Sequence, residues 1–245
     1  MRIAFDLDGV LADLHTPYVK AAQCLFPDLD RAAIAPGDVG ASPPDSEEAA
    51  PTEIPVAPPP PPVSRRQSEA IWSHLTAQED FWESLAEIED GSVARLAALA
   101  DERRWEVLFI TSRPSSRGRT VQRQTQRWLQ QKGFAMPAAF VVHGSRGEVA
   151  RALALDVVID DRANNCLDVV LESEAGAVLV WRGDQAEIPA SARRLGIAVA
   201  PSVSVCLDTL IEAEASVAGG GTLLERLRRL FGLRTRQPSG LLRRE

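Results

Sequence analysis

Two kinds of apolar run share the chain. Short, mostly apolar stretches of strand length fall at residues 2–5, 105–110, 140–142, 157–159, 177–181 and 197–199. Between them apolar residues recur every three or four positions, which predicts helices. Tyr18, Ala21, Ala22, Leu25 and Phe26 form one such stripe after Leu14, and Pro27 ends it. Helical spacing returns from Ser64 to about Glu87, with Ile71, Trp72, Leu75, Phe81, Trp82 and Leu85. A third helix starts at Gly91, with Val93, Leu96, Ala97 and Leu99 on one face. The polar, Arg- and Gln-rich residues 115–132 read as a helix buried through Val121, Trp128 and Leu129 and closed by Gly133. Shorter helices are predicted at Glu148 to Leu155 and around Val205 to Ala215. Strands alternating with helices imply an α/β chain with a parallel sheet and right-handed crossovers.

The polar residues that interrupt this pattern fall at strand ends. Asp6 and Asp8 follow the first strand, Thr111, Ser112 and Arg113 the second, His143 to Arg146 the third, and Asp160-Asp161 the fourth. In open parallel sheets, sites lie beyond the carboxyl ends of the strands. Strand interiors disfavour Asp, and a buried charge needs a partner or a metal. A carboxylate can attack phosphorus if charge is neutralised on both reactants, and Mg²⁺ bound by carboxylates suits that task. Asp6 with Asp160 or Asp161 could supply ligands, and Asp8 is placed to move a proton. Thr111 offers a hydroxyl and Arg146 a fixed cation for phosphate oxygens. Arg113 and Arg162 are candidates for a phosphate or base contact, with surface pairing the alternative. His15 and His143 are weaker candidates, and His74 reads as surface.

Composition adds bounds. With 245 residues, 45% hydrophobic and 25% charged, the chain suits one globular domain carrying an insertion or a small cap. A formal net charge of -7 argues against a nucleic-acid polymer as partner. Cys24, Cys166 and Cys206 are widely spaced and read as small buried hydrophobes in a reducing compartment. No leader or membrane-length apolar run is evident, so a cytoplasmic location is expected. Residues 36–63, rich in Pro, Ala and acidic residues, cannot bury enough apolar surface to order themselves and read as a disordered insertion. Gly219-Gly220-Gly221 read as a linker. Beyond it, residues 222–245 carry seven Arg and two Glu, with Leu223, Leu227, Leu230 and Phe231 on one helical face. Such a tail suits weak contact with a membrane or a protein, or packing on its own acidic domain.

DLDGVLAD at 6–13 resembles the first motif of the haloacid dehalogenase (HAD) superfamily of phosphohydrolases. FITSRP, ending the strand at Thr111, is similar to the second motif, and VVIDDRANN at 157–165 to the acidic fourth. The resemblance covers about residues 1–215. It implies a Rossmann-like three-layer parallel sheet, with Asp6 as nucleophile, Asp8 as acid/base, and Mg²⁺ among Asp6, Asp8, Asp160 and Asp161. Thr111, Ser112 and Arg146 would take the phosphate. It divides the chain into a core (1–13 and 91–216), a small helical C1-type cap (14–90) holding the Pro-rich insertion, and a tail (217–245). Where the family's third motif has lysine, this chain has Arg146, or in second place Arg151; no lysine follows Lys132. The short cap, TSRP and IDDR most resemble the bacterial 5'-nucleotidase (deoxyribonucleotidase) type. The expected function is a Mg²⁺-dependent phosphomonoesterase acting on a small phosphorylated metabolite, such as a nucleoside monophosphate. The alternative is a catalytically weak binding module that uses the Pro-rich insertion and the basic tail.

Overall fold

The computed structural model of the protein describes residues 1–29, 34 and 63–215. The predicted Pro-rich insertion, apart from Val63, and the predicted linker and tail at 217–245 lie outside the described residues. By contact the chain divides into two compact units, Met1–Gly144 and Ser145–Glu245. Each carries three parallel strands with flanking helices, the expected Rossmann-like α/β class.

In the first unit, β1 (Arg2–Phe5) pairs in parallel with β4 (Glu106–Thr111), and β4 with β5 (Ala138–Val141). Ile3, Ala4 and Phe5 are fully buried, the composition expected of a strand covered on both faces. The chain then turns sharply. Gly9 has φ +88°, a left-handed conformation that glycine adopts without strain. The Leu7 carbonyl accepts from the amides of Val10, Leu11 and Ala12 at 3.3, 2.8 and 2.7 Å. The glycine of DLDGV therefore makes the turn that carries the second aspartate. Beyond it β2 (Ala12–Asp13) pairs antiparallel with β3 (Ala86–Glu87).

The helices α1 (His15–Leu25) and α2 (Arg65–Thr76) pack on each other between those two short strands. The Tyr18 ring meets Trp72 edge-on at 5.7 Å, and the Tyr18 hydroxyl lies 3.2 Å from that of Ser68. Ser64 and Gln67 form a reciprocal cap at the start of α2. The predicted helix over 64–87 ends early, at Thr76. Asp80 takes a left-handed conformation, φ 51°, and its carboxylate accepts from the Arg119 amide at 2.7 Å. Phe81 and Trp82 are buried through a 3₁₀ turn instead. In β3, Glu87 accepts from the amides of Gly91 and Val93 at 3.3 and 2.9 Å, which caps α3 (Ser92–Arg103).

A second difference lies in α4 (Val121–Gln131), shorter than the predicted 115–132. Trp128 and Leu129 are fully buried as expected, but so are Gln124 and Thr125, while Val121 is half-buried. The two buried polar side chains have partners. Gln124 Oε1 accepts from the Trp82 amide at 3.0 Å, and Thr125 is bonded to Arg113.

In the second unit, β6 (Val157–Asp160), β7 (Gly176–Val180) and β8 (Ala198–Ala200) pair in parallel. The helices are α5 (Arg146–Ala152), α6 (Ala163–Glu172), α7 (Ala190–Arg194) and α8 (Val203–Ala215). The apolar pattern did not predict α6, because only Cys166 and Val169 are fully buried along it. Helices α5 and α6 meet closely at Gly147, where an added Cβ would lie 2.2 Å from the Asp168 carbonyl oxygen. Cys166 and Cys206 are buried, whereas Cys24 is exposed rather than part of the core. Among the described residues no helix is long and apolar enough to cross a membrane.

Candidate active site

Within the first unit, the acidic pair is placed by β1 and the turn behind it. Asp6 follows the last paired residue of β1 and is 7% exposed. Leu7 is fully buried, so the next polar residue, Asp8, faces away from it. The Asp8 carboxylate accepts from Arg113 with both oxygens. Arg113 Nη2 lies 2.7 Å from Oδ1, and Arg113 Nε lies 2.7 Å from Oδ2. The Thr111 hydroxyl donates to the same Oδ2 at 3.3 Å. A two-point guanidinium–carboxylate pair is strong and fixes the plane of the carboxylate.

Arg113 is itself almost wholly enclosed, at 1% exposure. Its Nη1 donates to Thr125 Oγ1 at 2.9 Å, and its guanidinium carbon lies 4.7 Å from the Trp82 ring centroid. Burial overturns the expectation of a surface pair for Arg113, which is a buried partner of Asp8. The signal in the sequence was its place two residues past Thr111. Buried Thr125, on a helix read as polar, gave no signal of its own.

Thr111 is buried at the end of β4, within reach of Asp8, as its strand-end position suggested. The Ser112 hydroxyl donates to the Val142 carbonyl at 2.6 Å, which ties the end of β4 to the residue after β5. Its one proton therefore serves the scaffold.

Within the second unit, Asp160 ends β6 and is fully buried. Its Oδ1 accepts from the Arg162 amide at 2.8 Å, and the Asn165 side-chain amide donates to Oδ1 and Oδ2 at 3.1 and 2.9 Å. Arg146 Nε stands 3.7 Å from Oδ2. Burial pushes the Asp160 carboxyl above its ordinary range, and the Arg146 charge, the Arg162 amide and the Asn165 amide pull the other way. Arg146, 4% exposed, opens α5 after Ser145, whose hydroxyl accepts from the amides of Gly147 and Glu148 at 3.0 and 3.4 Å. Asp161 is half-buried beside it. Asn165 was missed as a partner of Asp160. Its signal was present, an amide side chain five residues on, at the start of a helix that the apolar pattern does not predict. His15 is half-buried at the first position of α1, and His74 and His143 are exposed. Trp72 and Trp82 are buried against each other, 6.2 Å between ring centroids.

The structure thus brings Asp8 together with Thr111 and Arg113, and Arg146 together with Asp160, each set inside its own unit. Among the described residues, no three His, Cys, Asp or Glu side chains are gathered closely enough to hold a metal ion. In chemistry the predicted carboxylates do fit Mg²⁺, since they offer only hard oxygen donors. Both oxygens of the Asp8 side chain also accept from Arg113.

Solved structures share this parallel α/β fold. A HAD family hydrolase from Deinococcus radiodurans R1, solved with bound phosphate and sodium, is similar with a TM-score of 0.54 and 16% identity, covering 88% of this chain and 96% of its own. A hydrolase from Pseudomonas syringae is similar with a TM-score of 0.50 and 17% identity, covering 86% of this chain and 99% of its own. No protein-family model matches the chain, and no curated protein does.

Proposed function

We propose that the chain is a HAD-superfamily phosphohydrolase that cleaves phosphoric monoesters through an aspartyl-phosphate on Asp6. The observation that carries this reading is the Asp6–Asp8 pair. Asp6 stands buried just past the buried parallel strand β1, and Asp8, two residues on, is held in a fixed plane by Arg113. A structural aspartate at a turn needs neither burial nor a bidentate cation. The HAD fold of the similar structures, one of them with bound phosphate, supports the same assignment.

In the first step an Asp6 oxygen bonds to phosphorus, and the bond from phosphorus to the leaving oxygen breaks. Its electron pair stays on that oxygen, which takes a proton from Asp8. In the second step water attacks the phosphorus and gives its proton to Asp8. Asp6 is then released as a carboxylate with inorganic phosphate. Thr111 and Arg146 are assigned to the phosphate oxygens, and Ser112 to the frame around them. Mg²⁺ would be held by Asp6 with Asp160 or Asp161, two carboxylates completed by other oxygens, and when bound would neutralise charge on the phosphate. The proposed enzyme divides into a core (1–13 and 91–216), a cap (14–90) and a tail (217–245). A small phosphorylated metabolite, nucleoside monophosphates among the candidates, rests on the resemblance alone.

The test is turnover of 4-nitrophenyl phosphate with and without Mg²⁺, beside a panel of phosphorylated metabolites. Asp6→Asn is expected to lower kcat roughly 10⁴-fold, the scale of losing a nucleophile. Turnover that survives Asp6→Asn, or that proceeds equally after chelation, overturns the reading.

A further inference from the structure

We propose that Arg113 is a positioning residue, acting on the reaction through Asp8 rather than on the substrate. The inference rests on the phosphohydrolase reading and adds a residue to it. Every nitrogen of the guanidinium is engaged within the first unit. Nε and Nη2 hold the two Asp8 oxygens, both at 2.7 Å, and Nη1 holds the Thr125 hydroxyl at 2.9 Å. One face lies against Trp82 at 4.7 Å. The side chain is wholly enclosed, 0% exposed against 10% for Asp8. A guanidinium with every nitrogen engaged and no exposed surface cannot reach out to a phosphate without breaking the Asp8 pair. What it can do is fix the plane and direction of a carboxylate that must meet first a leaving oxygen and then a water.

The surroundings fix the guanidinium in turn. Trp82 cannot slide, because its amide donates to Gln124 at 3.0 Å and its indole Nε1 to the Pro114 carbonyl at 3.2 Å. Gln124 and Thr125 are the two polar residues on the buried face of α4, so that helix holds both the ring and the guanidinium. An Asp8 free to rotate would spend much of its time misaligned, and a misplacement of about 1 Å costs on the order of 100-fold in rate. Lysine at 113 would keep a charge but could not grip two oxygens at once.

The experiment measures kcat and KM for 4-nitrophenyl phosphate with Mg²⁺ in the parent chain, Arg113→Lys, Asp8→Asn and the double variant. Arg113→Lys is expected to lower kcat by roughly 10- to 100-fold with KM nearly unchanged. In the Asp8→Asn background the same substitution is expected to change the rate by less than about threefold, because residues that act as a unit are not additive. If Arg113→Lys raises KM and spares kcat, Arg113 binds substrate and the inference is overturned. Losses that multiply in the double variant overturn it too. Thr125→Val, close in shape, keeps the test decisive should Arg113→Lys fail to fold. It removes only the Nη1 partner and is expected to lower kcat about fivefold, the factor of one neutral hydrogen bond, with KM unchanged. An unchanged kcat there counts against the inference. A parent chain that turns over none of the phosphate esters overturns the function reading itself. Turnover by the parent with the wrong pattern of losses overturns only the role of Arg113.

Discussion

Asp8 and Asp160 are both carboxylates at the end of a buried strand, one in each unit, and the chain shelters them in opposite ways. Asp8 is gripped by a full charge, Arg113, at 2.7 Å on each oxygen, from 105 residues away in sequence. Asp160 is hydrogen-bonded by neutral donors close by, the Arg162 amide two residues on and the Asn165 side chain five residues on, with the Arg146 charge farther off at 3.7 Å. The first arrangement fixes the plane and direction of a carboxylate. In the second, burial pushes the carboxyl up, against the Arg146 charge first and the amide donors after it. An oxygen meant to move protons in a set direction gains from the first.

The largest effect that could break this contrast is on stability. Asp8→Asn leaves Arg113 enclosed without its charge partner, and removing one half of a buried ion pair costs about 3–5 kcal/mol. Asp160→Asn keeps an acceptor for the Arg162 amide and relieves the burial of a charge, so about 1–2 kcal/mol is expected, the scale of a few weakened hydrogen bonds. Urea unfolding of both variants, in chelator, measures the difference. Equal losses would mean that Asp160 depends on Arg146 as fully as Asp8 depends on Arg113.

How much of this could be read from the sequence follows the same division. The strands, the acidic residues at their ends and the α/β class were legible, because buried parallel strands write themselves as short apolar runs. DLDGV marked both aspartates and the glycine turn. The Asp8–Arg113 pair was only half legible. TSRP placed an arginine next to the site, but nothing local says that its guanidinium turns inward, and that depends on Thr125 and Trp82 arriving from elsewhere. Helix α6 went unseen for a different reason. Its buried stripe is two residues wide, since α5 crosses it at a glycine instead of at a bulky apolar side chain. The early end of α2 also escaped, because Asp80 is left-handed through bonds to Arg119, a residue 39 positions away.

That glycine gives the next sharpest test. Helix α5 opens with Arg146, and α6 carries Asn165, so the Asp160 surroundings depend on how closely the two helices approach. Gly147→Ala would put a methyl 2.2 Å from the Asp168 carbonyl oxygen, which is backbone and cannot swing aside. Overpacking of this kind costs about 1–3 kcal/mol. Thermal unfolding reads the loss, and amide exchange over residues 163–172 reads where it falls. A variant as stable as the parent would show that α6 can move without cost, and that the Asp160 pocket is looser than its hydrogen bonds suggest.

The smallest expected stability effect separates two supports of the same carboxylate. Thr111 donates to Asp8 at 3.3 Å, longer than either bond from Arg113. Thr111→Val keeps the buried shape and removes the hydroxyl. If the guanidinium holds Asp8, the loss of stability stays within about 1 kcal/mol, the ordinary net worth of one hydrogen bond. Turnover is expected to fall further than that, by about tenfold, because the same hydroxyl is assigned to the phosphate in the proposed reaction. Urea unfolding and 4-nitrophenyl phosphate turnover on one preparation give both numbers. A stability loss as large as that of Asp8→Asn would move the anchor of Asp8 from Arg113 to Thr111, and the contrast between a charge-gripped and an amide-held carboxylate would go with it.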